Sequence, residues 1–269
     1  MRPAFDPEAR GGENLSYLAG FWYLRDETTG ALHRRWSPLR VRAMTRSSRA
    51  RAAAALVLLL SSPARPDDAA LPPRSVTVLD VHRFRPAEGP SSGPAVYYEV
   101  VQDPVGPILR SSYRPGMETV TMAVEVPEAL RKRVRLLRWR WRVRAFPTGG
   151  DECRGGYGDS PASVAAAFKR GFKWYILRFV WSTASPLGAV CDKKRNLFLA
   201  RDTIVLERAG APGVWLNEVV DVHQSFLNHF ERGDPNADVP DFVGVAVLSD
   251  GNQTRSESGA DFAAFELEY

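Results

Sequence analysis

The sequence has few of the residues on which metal and acid–base chemistry most often depend. Its 269 residues include four histidines and two cysteines. Neither an H-E-x-x-H zinc motif, a G-x-S-x-G nucleophile motif nor a phosphate-binding loop occurs. His223 and His229 lie six residues apart on a predicted helix and so face different directions. These absences favour a non-catalytic protein, with a hydrolase of unrecognised type as an alternative.

Long hydrophobic runs are also missing. Ala52–Leu60 is apolar over nine residues, whereas a membrane-spanning helix needs about 20. Three arginines precede this run, and Ser62-Pro63-Ala64 offers small residues after it. That order predicts a signal peptide over residues 44–64, with no transmembrane span after its cleavage. A short buried helix is the alternative.

A signal peptide is expected at the start of a chain, yet 43 residues precede this one. We interpret residues 1–43 as spurious upstream translation or a disordered extension, with Met44 as the true start. The rival interpretation is a genuine extension followed by an uncleaved anchor. Residues 65–74 are rich in Pro, Asp and Ala and predict a flexible mature N-terminus. Residues 75–269 are then a single exported domain, periplasmic or secreted.

An excess of positive charge is absent from the predicted mature chain. The formal charge of +5 arises before residue 65, where 10 of the 36 basic residues but only 5 of the 31 acidic residues lie. The remainder is formally neutral, so no nucleic-acid partner is predicted. The even pair Cys153 and Cys191 predicts a disulfide in an exported protein. Two buried free thiols are the alternative.

The clearest structural signal is a strict alternation over residues 136–146. Apolar residues occupy every second position and arginines occupy the positions between them. The apolar residues are Leu137, Trp139, Trp141 and Val143, and the basic residues are Arg138, Arg140, Arg142 and Arg144. This period of two predicts a half-buried strand with two tryptophans in the core.

Further extended segments follow at regular spacing. They are residues 75–84, 95–101, 108–113, 119–126, 163–168, 174–182, 197–207, 214–220, 242–248 and 261–269. Long loops are predicted at 148–161 and 183–196, and one short helix at 221–231 with Asp221 as its N-cap. This pattern predicts an all-β fold, an antiparallel two-sheet sandwich of jelly-roll type.

Several short pieces of the sequence come in a defined order: Arg138–Trp141, Gly158-Asp159, Val180-Trp181-Ser182, Trp215 with Val219-Val220-Asp221, and Val243–Ala246 with Ser249–Thr254. This ordered set resembles a bacterial family, domain of unknown function 3047. The likeness covers residues 75–269 and implies an exported β-sandwich without an established activity. The end of the chain, with an apolar strand, a polar loop and a closing aromatic strand, is also similar to carbohydrate-binding modules of jelly-roll type. The family pattern has a second acid where this chain has Ser160, and another near Asn252, so roles that need paired acids do not carry over.

The arginine row is the best candidate for ligand binding. Arg138, Arg140, Arg142 and Arg144 would stand about 7 Å apart on one face. Such a row suits an acidic glycan or another envelope ligand, such as a lipid phosphate or an acidic protein partner. Cross-strand pairing with acids such as Glu99, Glu125 and Glu266 is the alternative. Trp174, Trp181 and Trp215 could stack on sugars, but their apolar segments favour core positions.

A loop near the C-terminus carries alternating oxygen side chains. Asp250, Asn252 and Thr254 predict a structural Ca²⁺ site. However, Arg255 stands where a calcium-binding EF-hand loop needs glycine, and a polar turn with self-capping side chains is the alternative. No other cofactor is predicted.

Overall fold

The structure is a computed structural model that describes residues 74–87 and 97–269. The predicted upstream segment 1–43, the predicted signal peptide 44–64 and residues 65–73 lie outside the described residues. The described chain forms two β-sheets packed face to face, with one α-helix. The predicted all-β sandwich is therefore confirmed.

The first sheet has six strands, all antiparallel to their neighbours. They are β1 (Val76–Leu79), β3 (Tyr98–Asp103), β4 (Gly106–Tyr113), β6 (Leu136–Ala145), β11 (Leu216–Asp221) and β13 (Ser258–Glu268). Their order is β11-β6-β13-β4-β3, and β1 also pairs with β13. The alternating segment of the sequence is thus β6, one strand from the β11 edge.

The second sheet has seven strands in the order β2-β5-β12-β7-β8-β10-β9. They are β2 (Arg85–Pro86), β5 (Met122–Glu125), β7 (Ala162–Arg170), β8 (Lys173–Ser182), β9 (Val190–Arg195), β10 (Leu199–Arg208) and β12 (Asp241–Leu248). β10 lies between β8 and β9 and runs parallel to β8. Short 3₁₀ turns occur at Val81–Arg83 and Glu128–Leu130.

The core between the sheets is centred on the two tryptophans of β6. Trp139 and Trp141 are at most 1% exposed, and their rings meet edge to face at 5.4 Å. Across the sandwich, Trp139 packs on Phe179 at 5.9 Å and Trp141 on Trp181 at 5.8 Å. Truncating a tryptophan buried like this costs about 3–5 kcal/mol, so β6 fixes how the two sheets meet.

The helix α1 (Val222–Phe230) closes one end of this core. Asp221 caps it by accepting a hydrogen bond from the Gln224 N–H, as the sequence predicts. Phe226 packs on Phe168 at 5.0 Å. α1 is the single α-helix of the described residues, and none of their helices is long and apolar enough to cross a membrane.

One strand lies where the sequence predicts a loop. Residues 183–196 contain β9, an edge strand that pairs only with β10. Its sequence, VCDKKR, has four consecutive charged residues and no alternation of apolar residues. Charged side chains are common on edge strands, where they keep the unpaired edge from pairing with other chains. The pairing with β10, rather than burial of one face, therefore defines β9.

Candidate functional site

The four arginines of β6 lie on the outer face of the six-stranded sheet, as the alternation predicts. The intervening apolar residues are buried in the core, whereas the arginines are partly or well exposed. The exposed fraction of the side chain is 36% at Arg138, 18% at Arg142 and 33% at Arg144. The row therefore lies on the surface. Whether each guanidinium can bind a ligand depends on its contacts within the protein.

Asp261 is the centre of the largest ion-pair group on this face. It lies on β13 opposite Arg142, and its side chain is fully buried. Its carboxylate accepts hydrogen bonds from Arg110 Nε at 2.9 Å and Arg142 Nε at 2.7 Å. Arg144 Nε lies 3.8 Å away. One buried carboxylate thus fixes the positions of three arginines.

Arg142 has a second acidic partner at the tip of the β3–β4 hairpin. Its Nη2 donates to Asp103 at 2.7 Å. Burial alone would raise the pKa of Asp103, but hydrogen bonds from the Val105 N–H and from Arg142 outweigh it, and the pKa lies below its ordinary value. Arg142 is therefore fully engaged within the protein.

Arg138 is paired with the end of β13. Glu268 accepts from Arg138 Nη2 at 2.6 Å and from Arg74 at 2.7 Å. Hydrogen bonds from these two arginines lower the pKa of Glu268. Glu266 is the residue opposite Arg138, yet the guanidinium reaches Glu268 instead. The acids that pair with the row are therefore Asp261, Asp103 and Glu268, not those that the sequence suggests.

Arg140 differs from its three neighbours in the row. It makes no ion pair within the described residues, and its Nε is buried without a hydrogen-bond acceptor there. Its guanidinium carbon lies 5.4 Å from the ring centre of Trp215. Asn217 is opposite Arg140 on β11 and is exposed. The row therefore contains one cation with unused donor capacity beside an aromatic ring and an amide.

Trp215 occupies this outer face rather than the core. Trp174 and Trp181 are each 3% exposed and belong to the core, as predicted, but Trp215 remains partly exposed. Its ring lies 4.5 Å from the guanidinium carbon of Arg142. The core prediction is wrong for Trp215. Leu216 and Val220 alternate along β11 toward the core, and that pattern already directs position 215 outward.

A second polar group is buried at one end of the sandwich, where two loops meet. Asp159 is fully buried and accepts hydrogen bonds from the Gln253 N–H at 3.2 Å and the Thr254 N–H at 2.6 Å. The Thr254 hydroxyl donates to the same carboxylate at 2.7 Å. Asp159 thus holds the 249–257 loop in place.

Asp250 anchors the opposite side of this contact. Its carboxylate accepts from the Ser160 N–H at 2.9 Å and lies 3.9 Å from Arg178 Nη2. Burial is the main cause of the raised pKa of Asp250, which is about 7. The positive charge of Arg178 lowers this pKa, and the negative charges of Asp159 and Glu152 raise it. Asp250 is therefore a buried acid whose ion-pair partner is Arg178.

Two serines complete the network. The Ser160 hydroxyl donates to Glu152 at 2.7 Å and accepts from Arg178 at 3.0 Å. The Ser182 hydroxyl donates to the other oxygen of Glu152. Glu152 and Arg178 were not predicted from the sequence as site residues. The only signal in the sequence was a charged residue in a glycine-rich loop and another in an apolar strand. Their partners lie in separate parts of the chain, so no local pattern indicates these contacts.

Cys153 and Cys191 form the predicted disulfide. It joins the 148–161 loop, which carries Glu152 and Asp159, to β9 at the edge of the seven-stranded sheet. Cys191 packs with Val180 and Val205 in a small apolar cluster. The bond therefore fastens the polar network to the sheet beside it.

The residues of the predicted calcium site have other partners in this structure. Asp250 is directed to Ser160, Thr254 to Asp159, and Asn252 is exposed. Within residues 74–87 and 97–269, no group of three or more histidine, cysteine or acidic side chains is placed to hold a metal ion. The Ca²⁺ site stays a prediction, and the loop has the self-bonded character of a polar turn.

Glu218 is an acid at the boundary of the core. It accepts a hydrogen bond from Trp141 Nε1 at 3.0 Å. Burial is the main cause that raises the pKa of Glu218 to about 7, with a small contribution from the charge of Glu207. The Trp141 hydrogen bond acts in the opposite direction. Glu218 therefore titrates near neutral pH.

The chain belongs to the family described as Protein of unknown function (DUF3047). The family's sequence profile matches residues 95–266, which is more than half of the chain. The matched region includes the arginine row, Trp215 and both loops of the buried polar network. No curated protein matches this chain at a significant level.

Solved structures similar to the chain are β-rich domains with low sequence identity. The family 11 carbohydrate-binding module from Clostridium thermocellum, in complex with a β-1,3-1,4-mixed-linked tetrasaccharide, is 9% identical with a TM-score of 0.32, over 75% of this chain and 91% of that chain. The xyloglucanase domain of NopAA from Sinorhizobium fredii is 11% identical with a TM-score of 0.36, over 72% and 97%. The family GH12 endoglucanase 3 of Trichoderma harzianum is 11% identical with a TM-score of 0.30, over 74% and 99%.

Proposed function

We propose that this protein is a non-catalytic, exported β-sandwich that binds an anionic glycan on the outer face of its six-stranded sheet. The proposed binding residues are Arg140, Trp215 and Asn217. The observation that carries the proposal is the state of Arg140, which is the arginine of the row without an ion pair in the described residues. The disulfide supports export.

An unpaired, partly buried guanidinium favours an anionic ligand. A carboxylate or sulfate group on a sugar would accept from the Nη atoms of Arg140, because its Nε is shielded from solvent. A hydrogen bond to a charged group contributes about 1.5–3 kcal/mol. Arginine binds such groups through two parallel hydrogen bonds, which gives direction as well as affinity.

The neighbours of Arg140 suit a sugar ring. Trp215 offers a partly exposed aromatic surface on the same face, and Asn217 offers an amide donor and acceptor directly opposite Arg140. An aromatic ring supplies apolar contact for the C–H face of a sugar, and the amide supplies hydrogen bonds to hydroxyls. Cation, ring and amide together match an acidic sugar better than an inorganic anion.

The other arginines of the predicted row have a supporting place in this proposal. Ion pairs hold Arg138 and Arg142 in fixed positions, and Arg144 donates to Ser112 at 2.7 Å. A surface whose side chains are already ordered loses less conformational entropy on binding. Arg138, Arg142 and Arg144 would therefore lie beside the ligand as side chains that are already ordered before it binds.

Calorimetric titration with alginate oligosaccharides, with a neutral β-glucan of equal length in parallel, tests the proposal. We expect the uronate to bind and the neutral glucan to bind at least tenfold more weakly. Arg140→Gln and Trp215→Ala should each weaken uronate binding by about tenfold or more. The control is Arg114→Gln, which changes an exposed arginine in the turn after β4.

Equal affinity of the wild type and Arg140→Gln would overturn the proposed site. Absence of binding to uronates and to sulfated glycans alike would overturn the proposed function. The alternative is then a protein-interaction module of the envelope. It is favoured by the exposed apolar side chains of Val78 and Val219, which are 66% and 52% exposed on the same sheet.

A further inference from the structure

Two hairpin turns lie side by side at one end of the seven-stranded sheet. The β7–β8 turn contains Gly171 and Phe172, and the β9–β10 turn contains residues 196–198. β8 and β10 are parallel neighbours, so the turns that precede them share one end of the sheet. The Trp174 N–H donates to the Phe198 carbonyl at 2.8 Å, which joins the two turns directly.

Both turns expose large apolar side chains at their tips. Phe172 is 88% exposed, Leu197 is 77% exposed and Phe198 is 52% exposed. Single exposed apolar residues are common, but three on adjacent turns form a cluster that water does not favour. No packing role within the described residues accounts for these side chains, because they project beyond the last hydrogen-bonded pairs of their strands.

Basic residues follow or precede the apolar tips in both hairpins. They are Lys169, Arg170 and Lys173 in the first hairpin, and Lys193, Lys194 and Arg195 in the second. Arg170 pairs with Glu231 at 3.0 Å and Arg195 pairs with Asp202 at 2.7 Å, so the charges of these two arginines are already balanced. Lys173, Lys193 and Lys194 supply the basic character of the tips. The tips are therefore apolar at the apex and basic at the base.

We propose that these two hairpin tips dock the domain on an anionic lipid bilayer. Phe172, Leu197 and Phe198 would enter the boundary between headgroups and acyl chains, and the lysines behind them would contact lipid phosphates. Apolar side chains combined with basic neighbours give this kind of interfacial binding, and each basic residue near an anionic surface adds to it. Charge favours a bilayer as the occupant, because the basic residues behind the apolar tips complement anionic headgroups.

This surface is separate from the proposed glycan site. It belongs to the seven-stranded sheet, whereas Arg140, Trp215 and Asn217 belong to the six-stranded sheet. Bilayer docking would hold the domain by its hairpins and leave the arginine row free for its ligand. Either proposal can fail without affecting the other.

Co-sedimentation of the full chain with vesicles tests the docking. We expect binding to vesicles of equal parts phosphatidylglycerol and phosphatidylcholine, and weaker binding to pure phosphatidylcholine or at high salt. The triple change Phe172→Ser, Leu197→Ser and Phe198→Ser should weaken binding by about tenfold or more. The control is Leu187→Ser, which changes a leucine that is 63% exposed in the turn between β8 and β9.

A second measurement reports on the tip itself, independently of the apolar run at residues 52–60. Phe172→Trp places a fluorophore at the apex, and brominated lipids should quench its added emission relative to the wild type. Absence of that quenching would overturn the proposal. Equal vesicle binding by the triple variant and the wild type would also overturn the proposal. The same holds if neither protein binds vesicles and the triple change instead abolishes self-association.

Discussion

Acids and arginines are concentrated both on the outer face of the six-stranded sheet and at the buried loop end of the sandwich. The carboxylates of the two regions have different hydrogen-bond partners. On the outer face, carboxylates of Asp261 and Glu268 pair with guanidinium groups that keep part of their surface in water. At the loop end, Asp159 and Asp250 accept from backbone N–H groups and are shielded from water.

The difference separates a binding surface from a structural one. Asp159, Asp250 and Glu152 each accept hydrogen bonds within the protein. Arg178 also has a buried Nε without an acceptor in the described residues, but its Nη2 donates to Ser160 and lies 3.9 Å from Asp250, whereas Arg140 has no ion pair there. The outer face leaves Arg140 without an acceptor in the described residues. A ligand gains most where a charged donor is already ordered but not yet paired. We therefore expect loop-end variants to change stability and outer-face variants to change binding.

The largest effect should come from removing the disulfide. Cys153 and Cys191 are separated by 38 positions in the sequence, and closing a loop of that length stabilises a fold by about 4 kcal/mol. We expect Cys153→Ser with Cys191→Ser to lower the free energy of unfolding by that amount in urea titrations. A reductant should reproduce the loss in the wild type and leave the double variant unchanged.

Asp159→Ala should be the next largest change. It removes the acceptor of two backbone N–H groups and one hydroxyl inside the protein, which costs about 3 kcal/mol. Chemical denaturation measures this, with Asp234→Ala as an exposed control. A loss below about 1 kcal/mol would show that the hydrogen bonds of Asp159 contribute little to stability, and that the loop end is not primarily structural.

Asp261→Asn tests the outer face in the same way. The asparagine keeps the shape of the side chain but leaves Arg110 and Arg142 with weaker, uncharged contacts. We expect a loss of about 2 kcal/mol, less than for Asp159 because these arginines reach water. A loss larger than that of Asp159→Ala would reverse the comparison.

The smallest effect concerns pH. The pKa of Glu218 rises from 4.5 to about 7, chiefly through burial, so the folded state binds a proton that the unfolded state releases. Stability should therefore fall as pH rises from about 4.5 to about 7. Glu218→Gln should be about 1 kcal/mol more stable than the wild type at pH 8, after allowance for solvent screening, and similar at pH 4. Thermal unfolding at both pH values measures it, with Glu128→Gln as an exposed control.

Local patterns predicted most of the fold. The alternation in β6 and the helical spacing of Val222, Phe226 and Leu227 depend on neighbouring residues, and both elements form where expected. β9 and the parallel pairing of β8 with β10 depend on contacts between distant strands. No local period encodes such pairings, so the sequence predicted a loop and an all-antiparallel arrangement there.

The same limit applied to the candidate site. The sequence placed the arginines on one face, but their partners depend on the path of β13, where the register shifts between Ala263 and Glu266 and Ala264 has a φ of 50°. The buried network joins residues as far apart as Ser160 and Asp250. Patterns along a strand identify which side chains share a face, whereas bulges and long-range contacts decide which of them remain unpaired.

The position of β10 between β8 and β9 also constrains the order in which the chain can assemble. β9 and β10 form a local hairpin. β8 pairs with β10, which follows β9 in the sequence, so this pairing can form only after β9 and β10 have both been synthesised. A nascent chain that pairs β9 directly with β8 must separate them again before β10 can insert. The productive route is therefore for the β9–β10 hairpin to form first and to dock on β8 as a unit, after which Cys191 reaches Cys153.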